Sequence, residues 1–114
     1  MSERIAGNYI KEHRRKSGLS QRELGRLVGF MSEGQVRRHE TSRSAPTLLV
    51  ALAYETVFQI PVSAIFVGFR TAVADAVATN LEELQAELER RSEHGKLSGP
   101  AHRKMQWLKE RIAR

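Results

Sequence analysis

Within the stretch EGQVRRHE (Glu33–Glu40), the side chains of Glu33, Gln35, Arg37 and Arg38 can make directional hydrogen bonds to a planar partner. Arg37 and Arg38 each carry a flat fork of N–H donors, which matches a carboxylate, a phosphate, or the O6 and N7 acceptors of guanine. Gln35 both donates and accepts, and an ionised Glu33 only accepts. Gly34 has no side chain and permits close approach. On a wheel turned by about 100° per residue, Val36, His39 and Glu40 gather on one side. Gly34, Arg37 and Arg38 fall on the other, with Glu33 and Gln35 at its margins. A short helix of this kind fits a DNA major groove. The plain alternative is a surface helix with solvated charges.

Two local signals position that helix. Ser20 is followed three residues on by Glu23, and Ser32 by Gln35. Each is a capping box, in which the serine takes a backbone N–H of the first turn and the longer side chain reaches back to the cap. The reading is two short helices joined by a tight turn. Gly29 ends the first, and Leu24, Leu27 and Val28 form its inner face.

With these elements placed, the chain from Gly7 to Gly68 resembles the helix-turn-helix domain of Cro/CI-type (XRE family) regulators. The resemblance rests on IKEHRRKSGLSQREL (Ile10–Leu24), VRRHE (Val36–Glu40), Pro46 and LLVALAYETVFQIPVSAIF (Leu48–Phe66). It implies an all-α fold with five helices through Phe66. It also implies double-stranded DNA as partner, with Glu33, Gly34, Gln35, Arg37 and Arg38 reading bases and Gln21, Ser32 and Arg43 on phosphates. In the family an arginine at the position of Arg14 forms a buried ion pair with a glutamate at that of Glu40. The inward side of the wheel supports this, because an unpaired charge there is costly. Two features depart from the family pattern: one extra residue lies between Gly29 and Ser32, and Ser42 stands where glycine is usual.

Helix 1 is expected over Arg4–Lys16, with Ile5, Tyr9 and Ile10 inward and the basic run KEHRRK near its C-terminal end, where the helix dipole favours cations. Helix 4, from Pro46-Thr47 to Gln59, is apolar nearly all round and reads as a central core helix. Tyr54, Phe58 and Phe66 read as core or dimer surface.

After Phe69 the composition changes. Thr71–Glu89 holds five acidic residues and no basic one, whereas Arg90–Arg114 holds eight basic residues and two acidic. Val73, Val77, Leu81, Leu84 and Leu88 form a seam near a heptad period, as do Ala101, Met105, Leu108 and Ile112. Asn80 with Glu83 is a further capping-box pattern that would break the first of these helices. The link HGKLSGP is turn material. The expectation is a DNA-binding domain over 1–68 and an extension over 69–114. That extension is a two-helix hairpin, serving a homodimer or another protein partner, with Trp107 as a further contact.

Nineteen Lys and Arg against thirteen Asp and Glu give a formal charge of +6, which favours an acidic partner such as nucleic acid. With no cysteine there is no disulfide framework and no zinc finger. The N-terminus is too polar for a signal peptide, and the apolar run Gln59–Phe69 is far short of a membrane span. A cytoplasmic, nucleoid-associated protein is expected. Gly29 and Gly34 match phosphate-loop spacing, but Gln35-Val36 follows where Lys and Ser or Thr are required. His13, His39, His94 and His102 lack metal-ligand spacing, and no serine sits in a nucleophile elbow. No enzyme, metal or cofactor is expected. Two classes remain: a repressor binding a palindromic operator as a homodimer, and an antitoxin that binds its toxin through the C-terminal helices.

Overall fold

The computed structural model describes residues 7–113, which form seven helices and no strand. They are α1 (Ile10–Lys16), α2 (Gln21–Gly29), α3 (Glu33–Glu40), α4 (Leu48–Phe58), α5 (Val62–Ile65), α6 (Val67–Glu93) and α7 (Gly99–Ile112). The fold is all-α, with five helices before Phe66 and two after it. The chain forms two compact units that part between Ala72 and Val73, within α6.

The first unit is built around Ile10, Leu24, Val28, Val36, Tyr54, Ile65 and Phe66. Burying an aliphatic side chain of this size contributes about 1.5–3 kcal/mol, so α1 to α5 are held mainly by this cluster. The start of α1 differs from the sequence expectation. Arg4 and Ile5 lie outside the described residues, and Gly7 to Tyr9 are not helical. The cause is Asn8. Its Oδ1 accepts the Ile10 N–H at 3.0 Å, and its Nδ2 donates to the His39 carbonyl at 2.9 Å and to Ser42 Oγ at 3.1 Å. Asn8 thus fixes the entry to α1 against the far end of α3, and Tyr9 is left half-exposed.

The inner face of α2 is also shifted. Leu24, Gly25 and Val28 are buried, while Leu27 is 57% exposed. Gly25 takes the inward place because the turn crosses it. A Cβ there would lie 2.2 Å from the Met31 carbonyl oxygen, which only glycine avoids. The helix stop is spread over two positive-φ residues, Gly29 (φ 139°) and Phe30 (φ 59°). Phe30 is 87% exposed, whereas Met31 packs against the core. The extra residue is therefore absorbed by turning Phe30 outward, and Met31 fills the apolar place before Ser32.

Along α4 only Ala51 and Tyr54 are buried, with Val50, Ala53, Val57 and Phe58 packed beside them. Leu48, Leu49 and Leu52 face outward, so α4 is not enclosed on all sides. In a helix apolar all round, composition alone does not say which side packs.

The second unit is a helical hairpin. Leu88, Ala101 and Leu108 form its core, with Leu81, Leu97, Met105 and Ile112 against them. Ser98 caps α7, accepting the Ala101 N–H at 3.2 Å. Asn80 and Glu83 form no cap, and α6 runs unbroken through them. At 27 residues it outruns the 14 of α7. Val73, Val77 and Leu84 stay 61%, 48% and 40% exposed. No helix among the described residues is long and apolar enough to cross a membrane.

Candidate nucleic-acid interface

The outward face of α3 is defined by how firmly its other face is held. Both capping boxes are formed. Ser20 Oγ accepts the Glu23 N–H and Glu23 Oε1 accepts the Ser20 N–H, at 3.0 and 2.9 Å. These hydrogen bonds hold the Glu23 carboxyl below the ordinary glutamate range. At α3, Ser32 Oγ accepts the Gln35 N–H at 3.2 Å, and Gln35 Oε1 accepts the Ser32 N–H at 3.0 Å. Val36 is fully buried, and His39 nearly so. His39 Nδ1 lies 2.8 Å from Tyr54 Oη, with the two rings edge to face. Burial, then the Arg38 cation, depresses the His39 pKa, which keeps the ring neutral against the core. Burial, then the Glu40 charge, raises that of the Tyr54 hydroxyl.

At the end of α3, Glu40 is the hub of a charged cluster. Arg14 Nε lies 2.5 Å from Glu40 Oε2, and Arg14 Nη2 donates to Glu40 Oε1 at 3.3 Å. Arg14 also donates to the Leu19 carbonyl at 3.0 Å. Gln21 Nε2 donates to Glu40 Oε1 at 3.1 Å. The Glu40 side chain is 2% exposed and that of Arg14 12%. One carboxylate thus ties α1 and the first residue of α2 to α3. It is a structural group, with its oxygens taken up inside the protein.

Glu33, Gln35, Arg37 and Arg38 are exposed on α3, and Gly34 is partly so. They do not form one uniform patch. Arg37 lines a cleft of about 520 Å³ with Lys11, Gln21, Glu40 and Thr41. Glu33 and Ser32 line a second groove with Arg22, Arg26 and Phe30. Arg38 belongs to neither cleft. Gln35 is exposed, but its Oε1 is engaged by the cap, so Nε2 is its free donor. Ser32 Oγ is likewise a cap acceptor. Arg43 is exposed in the loop after α3, and its backbone N–H donates to the Arg38 carbonyl at 2.8 Å. Ser42, in the usual glycine position, adopts the left-handed φ of 60°. That explains the usual glycine, and Ser42 Oγ meets Asn8 in return.

Sequence reasoning passed over Arg22, Arg26 and Asn8. The i, i+4 spacing of Arg22 and Arg26 places both on one face of α2, and that spacing was the available signal. No comparable signal marked Asn8, whose partners in α3 and the loop after it, the His39 carbonyl and Ser42 Oγ, lie more than 30 residues away. Among the described residues no group of His, Asp or Glu side chains is placed to hold a metal ion.

Two helices joined by a tight turn, the second buried on one face and presenting arginines on the other, define a helix-turn-helix DNA-binding protein. Residues 10–65 match the family model described as helix-turn-helix. The chain belongs to the Cro/CI-type (XRE) helix-turn-helix family of DNA-binding transcription regulators. No curated protein matches it.

Proposed function

We propose that this regulator is a repressor that binds a palindromic double-stranded DNA operator as a homodimer, acting on nucleoid DNA in the cytoplasm. The observation that carries the reading is the outward face of α3. Its inward residues are locked by Val36, His39 and Glu40, and what remains free is almost wholly hydrogen-bonding. Arg38 lies clear of both clefts and is the bidentate guanine reader. Arg37 shares its cleft with Lys11 and Gln21 and belongs with the phosphate contacts, as do Ser32 and Arg43. Gly34 lets the helix sit deep. Glu33 and Gln35 meet bases near the helix N-terminus, which enters the groove first in this motif. Glu33 accepts from a cytosine N4–H. Gln35 donates through Nε2 and keeps its cap; a bidentate adenine contact would cost it the capping bond.

The test is a matrix of protein variants against single-base substitutions in a bound duplex. Arg38→Ala should lose about 1–3 kcal/mol on the cognate site and relax preference at one base position. Arg37→Ala should weaken all duplexes alike. If Arg38→Ala leaves every base preference unchanged, the assignment of the reading face fails.

A further inference from the structure

The charges of the hairpin are arranged in a way the single chain does not use. Between Thr71 and Glu89 α6 carries five acidic residues and no basic one, while α7 carries Arg103, Lys104, Lys109 and Arg111 against Glu110. Helices of opposite charge packed together invite ion pairs across their seam. Yet among the described residues the ion pair found in this unit lies within α6, between Arg91 and Glu87 at 3.1 Å. The seam between α6 and α7 is closed by apolar side chains alone.

Two apolar features are also left over. Val73, Val77 and Leu84 follow one another on α6 at steps of four and seven, so they form one exposed stripe. Glu83 and Glu87 border it on the side away from Leu81 and Leu88. On α7, Trp107 is 47% exposed, and Arg111 lies over its ring at 4.8 Å. At helical spacing three basic residues, Arg103, Lys104 and Arg111, and one acidic residue, Glu110, adjoin it. The stripe runs from Val73 to Leu84, about 17 Å along a helix, and the Trp107 face runs from Arg103 to Arg111, about 12 Å. One surface is apolar with an acidic border and the other is aromatic with a mainly basic border, and the second fits within the length of the first.

We infer that these two surfaces are halves of one interface. The occupant of each is a second copy of this chain, with α6 of one hairpin lying on the Trp107 face of α7 in the other. Two-fold symmetry makes the contact twice, as an isologous interface requires. The result is a four-helix bundle whose ion pairs run between copies. The proposal rests on the dimeric regulator described above and names the surface that makes the dimer.

Sedimentation of the full chain without DNA tests it, and so separates it from the DNA reading. The wild type should sediment at twice the monomer mass at low salt, and its dissociation constant should rise with ionic strength. A Glu83→Lys/Glu87→Lys variant should be monomeric, and so should a Lys104→Glu/Arg111→Glu variant. Mixed in equal amounts they should form a dimer, because each then meets its opposite charge twice. Recovery in the mixture also shows that both variants are folded. A dimer held by Leu48, Leu49 and Leu52 on α4 would survive both reversals. That outcome overturns the proposal, as does a monomeric wild type or a mixture that stays monomeric.

Discussion

Gly25 and Gly34 look alike in the sequence and do opposite things. A side chain at Gly25 would strike the backbone of the turn, whereas a Cβ at Gly34 meets nothing closer than Ser32 Oγ at 3.8 Å. Gly34 is thus dispensable for the fold, and its proposed role is to let DNA approach α3 closely. Glycine within a helix costs about 0.5–1 kcal/mol relative to alanine. Gly34→Ala should therefore raise stability by that amount in a urea melt while lowering affinity for DNA in a titration; if both move together, or affinity is unchanged, close approach at Gly34 is not needed. The face of α3 was legible because its periodicity is clean: Val36, His39 and Glu40 are inward in sequence and in structure. The face of α2 was less so. Leu27 is apolar and faces solvent, while Gly25, with no side chain to signal anything, takes the buried place. Hydrophobicity reports which residues can be buried; the crossing of the turn at Met31 decides which one is.

At the scale of elements, α3 is held by three ties from different parts of the chain. Asn8 holds its last turn, Tyr54 of α4 meets His39, and Arg14 of α1 with Gln21 of α2 holds Glu40. The ion pair is the most consequential because both partners are shielded. Removing the arginine leaves a buried carboxylate without its cation, at a cost of about 3–5 kcal/mol. Arg14→Ala should lower the thermal midpoint by many degrees, and Glu40→Gln should destabilise as well, because its NH2 group would face the Arg14 Nε–H and the near-buried guanidinium would lose its counter-charge. Melts of both variants that coincide with the wild type would show that the pair does not hold α3. The existence and order of the helices were readable, since caps and turn residues are local chemistry. Their limits were less so where tertiary contacts decide. Asn8 stops α1 short of Gly7 through bonds to residues in α3 and its following loop. In α6, Asn80 and Glu83 have the spacing of a cap but sit in an uninterrupted helix, because the flanking residues continue its hydrogen-bond ladder. On α4, an apolar composition all round gave no side to choose, and Leu48, Leu49 and Leu52 fell outward.

At the scale of the whole chain, the formal charge of +6 is unevenly spread. The acidic stretch is confined to α6, and basic side chains mark both the outward face of α3 and the far end of the chain. A single short helix reads only a few base pairs, and the proposed homodimer would gain a specific site by doubling, with half-sites about one helical turn apart. The measurement that bears most directly on this account is selection of bound duplexes from a random DNA pool by the full chain. The account predicts enrichment of one site with two inverted half-sites, their centres about 10 base pairs apart, each containing the guanine read by Arg38. Recovery of duplexes with no common sequence, or of a single unrepeated half-site, would contradict it.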